Sequence, residues 1–145
     1  MIGWFRGKRL EGAAVLVPVF LADHPHHHAS LDLFLQLDKR RSWCAAHSLA
    51  ELCSSLTRMP GKQRVSCEHA ILFVAEARER LGLVALGEEE YYLVIKKASL
   101  RGTAGGTIYD ALVAACAHKV KVETIYTWDL RHFQQLDFAG RIKTP

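Results

Sequence analysis

The stretch Gly105-Gly106-Thr107-Ile108-Tyr109-Asp110-Ala111-Leu112-Val113-Ala114-Ala115-Cys116-Ala117-His118, then Lys119-Val120-Lys121-Val122-Glu123, then Thr124-Ile125-Tyr126-Thr127-Trp128-Asp129-Leu130-Arg131-His132-Phe133, decides how the chain folds. Ile108, Ala111, Leu112 and Ala115 recur at i, i+3, i+4 and i+7, which predicts a helix with one apolar stripe. The glycine pair interrupts whatever precedes it, and Thr107, with Asp110 three positions on, has the pattern of an N-cap. Thr124 to Tyr126 is a short β-branched and aromatic strand, and Thr127-Trp128-Asp129 turns it into a second, short helix. Two carboxylates, Asp110 and Asp129, therefore each open a helix. A carboxylate so placed stabilises the helix by about 0.5–2 kcal/mol with no further role. Chemistry requires the acids to meet.

Outward from this stretch the chain alternates strands and helices. Ser42 to Ala46 reads as a strand, and Ser48-Leu49-Ala50-Glu51 has the capping-box pattern. The helix it opens carries Leu49, Leu52, Cys53 and Leu56 and stops at Pro60-Gly61. Glu51 is thus a third acid just after a strand, in the first turn of a helix. Ala70, Phe73, Val74, Ala77 and Leu81 form the stripe of the next helix, Glu76 faces Arg80, and Gly82 ends it. Leu83 to Leu86 is a strand, and a helix with Tyr91, Val94, Ile95 and Ala98 on its apolar face follows Gly87. Asp23-His24-Pro25-His26-His27-His28 leads into a helix with Leu31, Phe34 and Leu35 on one face. Residues 12–22 are a buried element whose period fits strand or helix alike, and residues 1–10 read as a loose arm.

Short strands alternating with helices imply a parallel sheet with helices on both faces, an α/β class fold. In such sheets the crevice lies beyond the carboxyl ends of the strands. The fold would then bring Glu51, Asp110 and Asp129 to one edge. Three crowded carboxylates call for a cation, and all-oxygen donors favour a hard divalent ion, Mg²⁺ or Mn²⁺. Such an ion activates water and neutralises charge on a phosphodiester.

Composition agrees. The 145 residues fit one domain, and half of them are hydrophobic, which excludes a disordered chain. A net charge of +4 suits an anionic partner such as nucleic acid, although Lys39-Arg40-Arg41, Lys96-Lys97 with Arg101, and Lys119 with Lys121 all lie near helix ends, where cations also complement the dipole. Cys44, Cys53, Cys67 and Cys116 show no C-x-x-C pairing and read as reduced thiols. Arg6, Lys8 and Arg9 before an apolar run imitate a secretory signal, but Glu11, Pro18 and the lack of a small-x-small site oppose it. No apolar run approaches 18 residues, so the expectation is a cytoplasmic protein without a membrane span. Four histidines at 24 and 26–28 admit a zinc-binding reading, which an exposed polar helix start explains as well.

His47-Ser48-Leu49-Ala50-Glu51-Leu52, Thr107-Ile108-Tyr109-Asp110-Ala111-Leu112 and Tyr126-Thr127-Trp128-Asp129-Leu130-Arg131-His132-Phe133 together resemble PIN-domain ribonucleases, specifically the VapC-type toxins of toxin–antitoxin pairs. The likeness runs from about Val15 to His132 and includes Val15-Leu16-Val17 and Leu21-Ala22-Asp23-His24-Pro25-His26-His27. It implies a three-layer α/β/α sandwich, Mg²⁺- or Mn²⁺-dependent endoribonuclease cleavage of RNA, homodimers and a cognate antitoxin. It also implies that Glu51, Asp110 and Asp129 are the metal-site acids, with the Thr127 hydroxyl close by. One motif departs. The family opens with an Asp-x-Asn-like motif before the segment matching Val15-Leu16-Val17, and here those positions are Gly12-Ala13-Ala14. Glu11 is one residue away, and a one-residue slip in a strand turns a side chain to the other face. Two functions therefore stand: a weakened metal-dependent ribonuclease, or an inactive homologue that binds antitoxin or RNA.

Overall fold

The computed structural model describes residues 8–145. A five-stranded, all-parallel sheet runs in the order β3-β2-β1-β4-β5, formed by β1 (Arg9–Glu11), β2 (Ser42–Ala45), β3 (Gly82–Val84), β4 (Thr124–Tyr126) and β5 (Arg141–Lys143). Seven α-helices accompany it among the described residues: α1 (Ala13–Val19), α2 (His27–Leu35), α3 (Ala46–Arg58), α4 (Cys67–Arg80), α5 (Glu88–Leu100), α6 (Thr107–Val120) and α7 (Leu130–Gln134). The expected α/β/α sandwich is what forms. Leu10, Ala45 and Ile125 meet Val113, Cys116, Ala117 and Phe133 of α6 and α7 on one face. Cys44 meets Leu16, Leu52, Leu56, Ala77 and Leu81 of the α1, α3 and α4 side on the other.

Several local expectations are corrected. Residues 9 and 10, expected within a loose arm, form with Glu11 the buried central strand; residues 1–7 lie outside the described part. The ambiguous run 12–22 holds α1, with Pro18 in its last turn. Gly82 does not end α4 but begins β3, where a Cβ would come within 2.9 Å of the Trp43 ring and 3.2 Å of the Lys39 carbonyl. The buried side chains of α6 are Leu112, Val113, Ala114, Cys116 and Ala117, so Leu112 is buried as expected while Ile108, Ala111 and Ala115 are only partly covered. On α2 the buried side chains are Ser30, Leu33 and Phe34, and Leu35 is exposed. Ile95 of α5 is likewise exposed. β5 was not expected at all: its pattern is charged-apolar-charged, and it lies at the sheet edge where only one residue is partly covered.

Among the described residues, Ser66 of α4 is the one N-cap whose side chain accepts a cap bond, from the His69 amide at 3.3 Å. Ser66→Ala is expected to destabilise the protein by about 1 kcal/mol in urea titration, with an unchanged slope.

Candidate functional site

The chain steps outward from β1 to β2 to β3, then returns to the other side of β1 for β4 and β5. The switch in direction falls between β1 and β4, and a crevice opens beyond the strand ends there. Gly12 follows β1 and Thr127 follows β4, and both line a hollow of about 280 Å³. Glu51, Asp110 and Asp129 line it too, with Ser48 and Ser55.

Each acid arrives by a different route. Glu51 stands in the second turn of α3, because that helix starts at Ala46 and not at Ser48. The capping box is therefore not formed: Ser48 is buried inside the helix, its Oγ without a hydrogen-bond partner among the described residues. Asp110 is in the first turn of α6. Thr107 does not cap that helix; Gly106 holds the cap position, after Gly105 at φ 62°. Asp129 is the N-cap residue of α7 but makes no side-chain cap bond. Neither aspartate is occupied as a cap.

The environment opposes the charge of Glu51 and Asp110. Burial raises the Glu51 pKa, with the Asp110 charge adding to it. Burial also raises that of Asp110; His132 opposes the rise and Asp129 adds to it. The three carboxylates thus form one electrostatic unit. His47 Nε2 lies 3.4 Å from Glu51 Oε1, and burial lowers the pKa of His47, so it supplies no fixed cation.

His132 Nδ1 stands 2.7 Å from Asp129 Oδ2 and 3.3 Å from Asp110 Oδ2. The Asp129 turn is fixed by three further contacts. Its amide donates to Thr127 Oγ1 at 3.0 Å, the Trp128 indole N–H donates to Ser30 Oγ at 2.9 Å, and the Trp128 ring stacks on His26 with centroids 3.8 Å apart. The histidine run is accordingly engaged elsewhere, with His27 Nδ1 2.8 Å from the Pro18 carbonyl oxygen. These contacts leave the zinc reading without support.

Glu11 takes another course. It ends β1 opposite Cys44 and Tyr126, so its side chain shares their face of the sheet and not that of Leu10. It is fully buried, does not line the hollow, and its carboxylate accepts no hydrogen bond among the described residues. Arg9 Nε is 3.8 Å from its Oε1. Burial lifts its pKa to about 8, which Arg9 offsets only in part.

The donor set lining the hollow is carboxylate and hydroxyl oxygen. That chemistry fits a hard divalent cation. As the side chains stand, no three His, Cys, Asp or Glu residues among those described are grouped closely enough to enclose a metal ion. The acids share a hollow without converging on a point.

A family model described as PIN domain matches residues 13–139. Among solved structures, the chain is similar to the toxin VapC20 of Mycobacterium tuberculosis, described as cleaving the sarcin-ricin loop, with a TM-score of 0.69, 14% identity, and coverage of 86% of this chain and 92% of that one. It is similar to the DNA-bound VapBC of Salmonella typhimurium, with a TM-score of 0.66, 15% identity and coverage of 94% and 97%. It is also similar to VapBC2 of Rickettsia felis bound to a promoter DNA fragment, with a TM-score of 0.64, 16% identity and coverage of 94% and 98%. No curated protein matches the chain. No described helix is long and apolar enough to cross a membrane.

Proposed function

Since this chain belongs to the PIN-domain family, we propose that it is a divalent-cation-dependent endoribonuclease of the VapC toxin type, with Glu51, Asp110 and Asp129 as the cation-binding acids. The observation that carries this reading is the common hollow at the sheet's switch point, which draws one acid each from α3, α6 and the β4–α7 turn. A hard divalent cation, Mg²⁺ or Mn²⁺, supplies Lewis acidity toward the phosphodiester and a water of lowered pKa. The protein's own part is to hold and orient. Glu51, Asp110 and Asp129 provide the negative charge that binds the ion, and the tie between Thr127 Oγ1 and the Asp129 amide keeps that turn in place. The buried walls of Val113 and Phe133 limit water on one side.

RNA is the substrate class this chemistry and a net charge of +4 favour. The named likenesses to VapBC complexes support an antitoxin partner for this chain, and homodimerisation goes with the same reading. Exposed Ile71 and Leu72 on α4, and Tyr92, Leu93 and Leu100 on α5, leave apolar surface for such contacts.

The test is cleavage of labelled RNA by the purified chain with Mn²⁺ against the same reaction in chelator. Cation-dependent cleavage supports the enzyme. Its absence, with RNA or antitoxin binding retained, supports the inactive homologue, the reading that Gly12 favours.

Gly12 also allows a gain-of-function experiment. A Cβ there would meet only the Tyr126 carbonyl oxygen at 4.0 Å, and its φ of −88° suits any residue. Gly12→Asp adds a fourth carboxylate at the rim and an acceptor at the α1 N-cap. Mn²⁺ affinity by calorimetry is expected to rise roughly 10-fold or more, since affinity for hard cations follows the count of charged ligands. Unchanged affinity would show that residue 12 does not face the cation.

A further inference from the structure

We propose that His26, stacked on Trp128 beside the hollow, is a platform for an RNA nucleobase, so that the base next to the phosphodiester held in the hollow lies on the outer face of its ring. The inference rests on the ribonuclease reading above and names a base subsite that none of the three acids supplies.

Three observations carry it. The first is position: Trp128 stands between Thr127 and Asp129 in the chain, and both of those residues line the hollow. Consecutive Cα atoms are about 3.8 Å apart, so the stack begins one residue from the rim, within reach of the nucleotide adjoining one held there. The second is the form of the surface. The His26 and Trp128 rings are nearly parallel, at 10° with centroids 3.8 Å apart, and Trp128 packs in turn against the buried Val15, Leu33 and Tyr126. His26 nevertheless stays exposed, and since one face lies on the indole, its accessible surface is the opposite face and the edge. A flat π surface open on one side suits the stacking of an unpaired base. The third is rigidity. The Trp128 indole N–H donates to Ser30 Oγ at 2.9 Å, the His26 amide donates to His24 Nδ1 at 3.1 Å, and His27 Nδ1 is 2.8 Å from the Pro18 carbonyl oxygen. The neighbouring histidines thus hold the loop, and His26 is presented by it. A surface fixed before binding loses little entropy when a base arrives.

Shielding Trp128 from water asks only for an apolar side chain, whereas stacking a base asks for a second π face. The experiment separates the two. It uses the full chain in chelator, so that no probe is cut, with fluorescein-labelled octamers of oligoadenylate, oligouridylate and abasic ribose-phosphate. Anisotropy is expected to rank their affinities in that order, because adenine offers the larger surface to stack and the abasic strand offers none. His26→Leu is expected to weaken oligoadenylate binding by about 10-fold, the size of one base–aromatic stack, and to leave the abasic strand unchanged. His26→Phe is expected to restore oligoadenylate binding. Urea titration of both variants is expected to match the parent chain, since either side chain covers the indole.

Equal affinity of the parent chain for the three octamers would overturn the platform, and so would His26→Leu binding oligoadenylate as the parent does. With Asp110-dependent cleavage intact, either result leaves the ribonuclease reading standing. Weakened binding in His26→Leu that His26→Phe does not restore would assign the effect to the imidazole nitrogens and equally overturn it. No binding of any octamer by the parent chain, in chelator or with Mn²⁺, would remove RNA as the ligand, and this inference with it.

Discussion

Asp110→Asn is expected to lower cation-dependent RNA cleavage by at least about 100-fold while leaving the protein as stable as before, or slightly more so. The loss follows from position. Asp110 is the acid whose charge is felt by Glu51, and it in turn feels Asp129, so it joins the other two electrostatically. Removing it leaves Glu51 and Asp129 on separate elements with no shared charge between them. The stability half follows from the same burial. A carboxyl whose pKa the fold raises is one whose charged form the fold disfavours, so a neutral isostere relieves that penalty. Nor does the substitution remove a cap, since Asp110 makes no cap bond to α6. Cleavage rate and urea stability measured on one preparation check both halves. A fall in both together would mean that Asp110 holds the fold and would withdraw its role at the cation.

The second large effect lies with Glu11. Burial holds its pKa at about 8, against an ordinary 4.5. Below about pH 4.5 the group is protonated in both folded and unfolded chains and carries no penalty. Between 4.5 and 8 the unfolded chain releases the proton while the folded chain keeps it. The folded state then binds more protons, and stability falls as pH rises, by about 1.4 kcal/mol per unit and roughly 3–5 kcal/mol across the window. Glu11→Gln has nothing to titrate and is expected to abolish that slope. Its advantage over the parent chain should therefore grow from pH 5 to pH 8 in urea melts. Parallel stability curves for the two proteins would show that the carboxyl is not buried as described. The variant should also cleave RNA as the parent does, because Glu11 does not line the hollow.

The sequence exposed most of the frame. The α6–β4–α7 run was readable because glycine breaks, apolar spacing and β-branched residues all agree there, and its two acids, Asp110 and Asp129, line one hollow with Glu51 of α3. The central strand was not readable. Two of its three residues, Arg9 and Glu11, are charged, and hydrophobic patterning discards such a segment. What makes it a strand is long-range: Arg9 Nε donates to Ser42 Oγ at 3.0 Å and Nη2 to the Gln36 carbonyl at 2.8 Å, bonds that no local window contains. The two failed caps have a shared cause. Ser48 and Thr107 match N-cap patterns, but α3 starts earlier at Ala46 and α6 is entered through Gly105 and Gly106, so tertiary context chose the boundary. His132 was invisible as a partner of Asp110 because only the α6–β4–α7 path returns it to that helix.

The pairing of β1 has a kinetic consequence. It is flanked by β2 and by β4, and the latter lies most of the chain length away in sequence. Closing such a loop is slow relative to local helix formation, because its entropy is lost before any contact forms. During synthesis at the ribosome, Glu51 emerges early, yet the hollow stays incomplete until Thr127, Asp129 and Phe133, after β4, are available. A nascent chain thus carries Glu51 and Asp110 without Asp129 beside them until the turn after β4 has been made.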